Sequence, residues 1–119
     1  METIRTTHLV SAFCNPVDMD VVRSYAYAMA EQDINCGQID FPPISGFFTE
    51  YDPQCDGETF HNSVEDAEYV RIKKGERVFK VTDGHHRSLA ACIAGIWCIE
   101  VEEDKTLVPE YHTKENGYA

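Results

Sequence analysis

The chain has 119 residues, 43% of them hydrophobic and 26% charged, and a formal net charge of −11. That length suits one domain, and the hydrophobic fraction is too high for a disordered chain. No apolar run approaches the ~18 residues of a membrane span, METIRTTHLV lacks the charged-then-apolar order of an export signal, and 10 Lys and Arg against 21 Asp and Glu argue against direct duplex-DNA binding, which depends on neutralising phosphates.

Residues 4–13 (IRTTHLVSAF) read as a first strand. Residues 14–33 (CNPVDMDVVRSYAYAMAEQD) read as a helix that Asn15 can cap, with Pro16 at the first helical position and Asp18 three residues after the cap. Met19, Val22, Ala26 and Met29 recur at helical spacing and predict its buried face. The chain leaves through Gly37 and Pro42-Pro43 into a strand, ISGFFTEY, at 44–51. Residues 50–66 form a long polar loop of the kind that is commonly functional or mobile.

YVRI (69–72), KKGE and RVFKVTD (77–83) predict a strand, a turn and a strand. Leu89, Ile93 and Ile96 mark the inner face of a short helix that Gly95 ends. WCIEVEED (97–104) is the last strand. Its alternation points Trp97, Ile99 and Val101 to the core, against Leu89 and Ile93, and Cys98, Glu100 and Glu102 outward. The order β-α-β-β-β-α-β alternates too little for a doubly wound sheet. The expected class is α+β, a small mixed β-sheet with helices, over residues 1–104, followed by a C-terminal tail at 105–119.

The five cysteines, Cys14, Cys36, Cys55, Cys92 and Cys98, are odd in number, irregular in spacing and contain no CxxC pair. This predicts free thiols in a cytoplasmic protein rather than a disulfide framework or a zinc knuckle.

The densest basic and imidazole chemistry lies in VTDGHHRSLA, residues 81–90, where a strand ends and a helix begins. Free amides and the positive end of a helix dipole gather at such a corner and favour phosphate. Asp83 and Gly84 make the turn, and Gly84 permits close approach of a ligand. Arg87 can fork onto phosphate oxygens, His85 and His86 can donate or act as acid and base, and Ser88 adds a hydroxyl. The plain structural reading is an Asp-Gly turn with Arg87 paired to neighbouring acids. His85, His86, His61 and Asp83 could also gather a divalent ion. Adjacent histidines in a turn point to different sides, so no metal centre is assigned.

GERVFKVTDGHHRSLAACIAGIWCIEVEE (75–103) resembles the central motif of the ParB/sulfiredoxin-like superfamily. NPVDMDVVRSYAYAMAEQ and FPPISGFF are similar to the helix and strand that precede that motif in the family, in the same order. The resemblance covers about residues 4–103 and implies a nucleotide-binding α+β fold. Family activities include CTP-dependent partition clamps, sulfiredoxin, a free-serine kinase and proteins labelled ParB-like nucleases. The resemblance implies that Gly84 is the corner glycine and that His86 and Arg87 contact nucleotide phosphates, often with Mg²⁺. His85 occupies the place of sulfiredoxin's essential cysteine, which argues against that chemistry. No helix-turn-helix segment follows the last predicted strand, so operator binding is not expected. Asp18 and Asp20 lie in the region that carries the kinase's catalytic glutamate.

The leading expectation is a nucleotide-binding protein for ATP or CTP, with or without Mg²⁺, as an NTPase or phosphotransferase. Asp83, Gly84, His85, His86, Arg87 and Ser88 would bind the nucleotide, and Asp18, Asp20 and His85 would be catalytic. The alternative is a non-catalytic acidic protein, of the phage or mobile-element type, that binds a basic host protein and imitates nucleic acid through SVEDAE and IEVEED. A nuclease is the third reading, which the charge balance disfavours.

Overall fold

The computed structural model describes residues 2–12 and 16–104, with Cys36 described in its backbone alone. The strands are β1 (Glu2–Arg5), β2 (Leu9–Ser11), β3 (Ile44–Glu50), β4 (Arg77–Asp83) and β5 (Cys98–Glu103), and the helices are α1 (Met19–Cys36) and α2 (His85–Ile93). Single 3₁₀ turns occupy Thr6–His8 and His61–Ser63. The five strands form one mixed sheet in the order β1-β5-β3-β4-β2. β5 with β3 and β4 with β2 run parallel, and β1 with β5 and β3 with β4 run antiparallel. The class is α+β, a small mixed sheet with two helices.

The expected first strand at 4–13 is instead two strands at opposite edges of the sheet. Four flat interstrand spacings would separate those edges by ~19 Å. The chain from Arg5 to Leu9 can reach at most ~14 Å, so the sheet must curl until its edges nearly meet. Thr6 fastens the join, its amide and hydroxyl donating to the carbonyls of Trp97 (3.1 Å) and Ile96 (2.6 Å).

The core fills the face of the sheet that carries the helices. Leu9, Ile44, Phe79, Val81, Ile99 and Val101 meet Val22, Ala26 and Met29 of α1 and Ala90 and Ala91 of α2. Met19, expected on the buried face, is 39% exposed because it sits in the opening turn of α1. Asn15, the expected cap, lies outside the described residues. Asp18 caps α1 instead, its carboxylate accepting from the Asp20 amide at 2.9 Å, and Pro16 precedes the helix.

α2 presents small side chains inward, with His85, Ser88, Ala91 and Cys92 buried and Ile93 39% exposed. Of the expected Leu89–Ile93 stripe, Leu89 packs against the core at its edge, while Ile93 turns toward solvent. The helix ends in a Schellman motif: Gly95, at φ 72°, donates to Cys92, and Ile96 donates to Ala91. The motif drives Ile96 into the core. Trp97 then turns outward, 68% exposed, which overturns its expected core position. It lies one residue before β5, with the Arg5 guanidinium 3.3 Å from its ring centre.

YVRI is not a strand. Asn62 holds Val70 as a strand neighbour would, its side-chain amide accepting from the Val70 amide (2.9 Å) and donating to the Val70 carbonyl (2.8 Å). The 50–66 loop is fastened to the sheet. Thr59 bridges to Val10, Phe60 donates to the Leu9 carbonyl, and Asp56 meets Lys80 of β4 at 2.7 Å with its carboxylate 4% exposed. Cys55, Cys92 and Cys98 are free thiols, while Cys14 and the Cys36 side chain lie outside the described residues. Among the described residues no helix is long and apolar enough to cross a membrane. The expected tail at 105–119 also lies outside them.

Candidate functional site

The turn from β4 to α2 places Gly84 at the helix N-cap with φ 105°, a conformation that side-chain-bearing residues rarely adopt. No side chain caps this helix start. The first intrahelical bond runs from the Ser88 amide to the Gly84 carbonyl at 2.8 Å, so the amides of His85, His86 and Arg87 precede the helical ladder. Beside them lies a cavity of about 500 Å³ lined by Pro16, Tyr25, Thr82 and the run from Asp83 to Arg87. That volume is in the range of small-molecule sites.

Arg87 is largely internal, with 15% of its side chain exposed. Its Nη1 donates to the carbonyls of Pro42 (2.7 Å) and Pro43 (3.0 Å), and its Nη2 lies 3.4 Å from Asp83 Oδ2. A Cβ at Gly84 would approach that Nη2 to 3.1 Å, so the guanidinium is folded back over the corner. One terminal nitrogen thus serves the Pro-Pro carbonyls while the charge forms part of the cavity wall. Asp83, 79% exposed, is the acidic side of that wall.

The two histidines diverge. His86 accepts the Asp18 amide on Nε2 at 3.0 Å, so that nitrogen carries no proton and the ring joins α1 to the corner. His85 is buried, with Nε2 2.9 Å from the Ser11 hydroxyl and its ring edge-on to Phe60 at 5.9 Å. Burial lowers its pKa from 6.5, Asp83 acting against the shift and His86 with it. Ser88 is fully buried, and its hydroxyl is spent on the Gly84 carbonyl at 2.8 Å.

The structure therefore brings Asp83, Gly84, His85, His86 and Arg87 to one cavity and sets Asp18 beside it. His85 lies on the lining with its Nε2 engaged by Ser11, and Ser88 is turned away into the interior. Asp20 points to solvent and pairs with Arg23 at 2.8 Å. His61 bonds the Glu68 carbonyl at 2.7 Å. Among the described residues no group of three His, Cys, Asp or Glu side chains is arranged to hold a metal ion.

Tyr25 was missed by the sequence reading. It lines the cavity and packs edge-on against Phe41, ring centres 5.3 Å apart. Its signal was present: Asp18, Val22, Tyr25 and Met29 share one helical face, and Asp18 lies at the corner. The role of Pro42-Pro43 had no local signal, because it depends on an arginine 44 residues away.

Fold and site together define a class: a curled mixed-sheet α+β domain with an uncapped helix start opening on a polar cavity. No known protein family, curated protein or solved structure matches the chain.

Proposed function

We propose that the protein binds the phosphates of a nucleotide at the start of α2. The observation that carries this reading is the helix start itself: Gly84 gives it no side-chain cap, and it faces a cavity of ligand size. Arg87 adds positive charge to the wall, which an anion requires in a chain of net charge −11. The resemblance to the ParB/sulfiredoxin-like superfamily supports ATP or CTP as the ligand. One exposed carboxylate, Asp83, suits a Mg²⁺ that takes its remaining ligands from phosphates and water. The reading extends to binding rather than turnover, because His85 is bonded to Ser11 and the His86 Nε2 to Asp18.

Thermal shift and calorimetric titration with ATP, CTP, GTP and ADP, each with and without Mg²⁺, provide the test. A ligand at 100 times its dissociation constant stabilises by about 2.7 kcal/mol. Asp83→Asn should tighten Mg²⁺-free binding several-fold, since it removes a repelling charge, and weaken the Mg²⁺-dependent part. No response to any nucleotide in the native protein would end the reading.

A second reading, an acidic non-catalytic partner of a basic protein, is favoured by β5, where Glu100 and Glu102 are exposed on the outward face and Glu103 is exposed at the strand end.

A further inference from the structure

A second cavity, apart from the corner, lies where the 50–66 loop meets residues 69–72. It measures about 280 Å³, and Tyr51, Pro53, Glu58, Tyr69 and Ile72 line it. Two tyrosines thus face a space slightly smaller than the cavities that enclose whole drug-sized ligands, ~300–1,000 Å³. A single side chain is the better-sized occupant.

Both aromatic walls are held in place. The Tyr51 amide donates to Glu76 (2.7 Å), its carbonyl accepts from Gly75 (2.9 Å), and its hydroxyl donates to the Gly57 carbonyl (2.9 Å). Tyr69 sits between two fixed neighbours, the Glu68 carbonyl on His61 and the Val70 backbone on Asn62. Its ring is nonetheless 71% exposed. A rigidly supported backbone carrying an open aromatic face is a preformed contact surface.

The sign of the surrounding charge selects the occupant. Residues 50–76, which carry all the lining residues, contain eight Asp and Glu against three Lys and Arg (Arg71, Lys73 and Lys74), with Asp56 paired to Lys80, so the balance stays acidic. Burial raises the pKa of the Tyr51 hydroxyl first, Tyr69 next, and Asp56 and Asp52 add to it in the same direction. An anion is repelled here, whereas a cation gains both the ring faces and the carboxylates.

We infer that the Tyr51–Tyr69 cleft receives a lysine or arginine side chain from a basic segment of a partner protein. The rings supply cation–π and apolar contact to the stem and head of that side chain, and Glu58 lies on the wall to meet its charge. The site is independent of the nucleotide reading and shares no lining residue with the corner cavity.

The test is a titration of ¹⁵N-labelled protein with a pentalysine peptide, read by NMR and calorimetry, with pentaglutamate as the opposite-charge control. Shifts should centre on Tyr51, Gly57, Glu58 and Tyr69, and pentaglutamate should cause none. Tyr69→Ala changes no charge and, at an exposed position, leaves the fold intact. It should weaken pentalysine binding roughly threefold to thirtyfold, the scale of losing one ring from a cation contact. Tyr69→Phe should bind as the native protein does. Tyr27→Ala, which removes an equally exposed tyrosine on α1, should have no effect. Equal binding by Tyr69→Ala, shifts centred on Glu100 and Glu102 of β5, or no binding of pentalysine would each overturn the inference.

Discussion

Arg87 does two things that the sequence presented as alternatives. Its charge stands at the cavity wall, yet Nη1 satisfies two carbonyls of a Pro-Pro segment that has no amide of its own to offer in exchange. Arg87→Ala leaves those carbonyls without their donor and should cost about 3 kcal/mol in urea denaturation, the scale of losing bonds to a charged group. Arg87→Lys should recover only part, because an ammonium lacks the fork. An arginine free to serve an anion alone would have shown almost no change in stability. His85 carries a pH signature. Its folded pKa lies below the ordinary 6.5, so the unfolded chain takes the proton first. Its share of stability is therefore complete above pH 6.5 and declines as pH falls from there toward the folded value. Denaturation at pH 7.5, 6.5 and 5.5 should show the decline, and His85→Gln should flatten it in part. His8 is lowered by burial in the same direction and accounts for some of the remainder.

The loop at 51–57 is tied at its start by the Tyr51 backbone bonds to Glu76 and Gly75, and farther along by the Asp56–Lys80 ion pair to β4. Asp56→Asn keeps an acceptor for the Asp52 amide but removes the charge opposite Lys80, which is 16% exposed. The loss should be about 3 kcal/mol, measured by denaturation, with the fastest amide exchange appearing in residues 51–57. What was legible among the elements followed local rules. The body of α1, though not its start or its cap, the Gly95 stop, strands β3 and β4 and the strand-to-helix corner are written in period, glycine and turn chemistry. What was illegible depended on partners distant in sequence. Nothing local in IRTTHLVSAF shows that Thr6 will bond to Ile96 and Trp97 and break the run into two strands. Nothing local in YVRI shows that an asparagine side chain will take the place of a neighbouring strand. Trp97 misled for a related reason: the alternation was sound from Ile99 onward, but the Schellman turn had already assigned the core position to Ile96. At the corner the residue set was legible and the directions were not. Adjacent histidines had to diverge, but which of them turned inward depended on Ser11 and Asp18.

For the whole molecule, the sheet order decides when folding can finish. Glu2 pairs with Val101 and Arg5 with Cys98, and the parallel partner of Ile44 is again Val101. β5 is therefore both the neighbour of the first strand and the link that joins it to the rest of the sheet. Closing contacts across nearly the whole chain is entropically slow, and folding should fall in the millisecond-to-second range rather than in microseconds. Stopped-flow refolding checks this directly; single-phase recovery within microseconds would contradict the topology. During synthesis, at ~5–20 residues per second, the N-terminal strand waits roughly 5–20 s for its partner. Until residue 103 has left the ribosome, Glu2–Arg5 is an unpaired edge open to any other strand, and a chain stalled or cut before β5 is left with the three-stranded sheet β3-β4-β2 and a lone first strand with nothing to join it to.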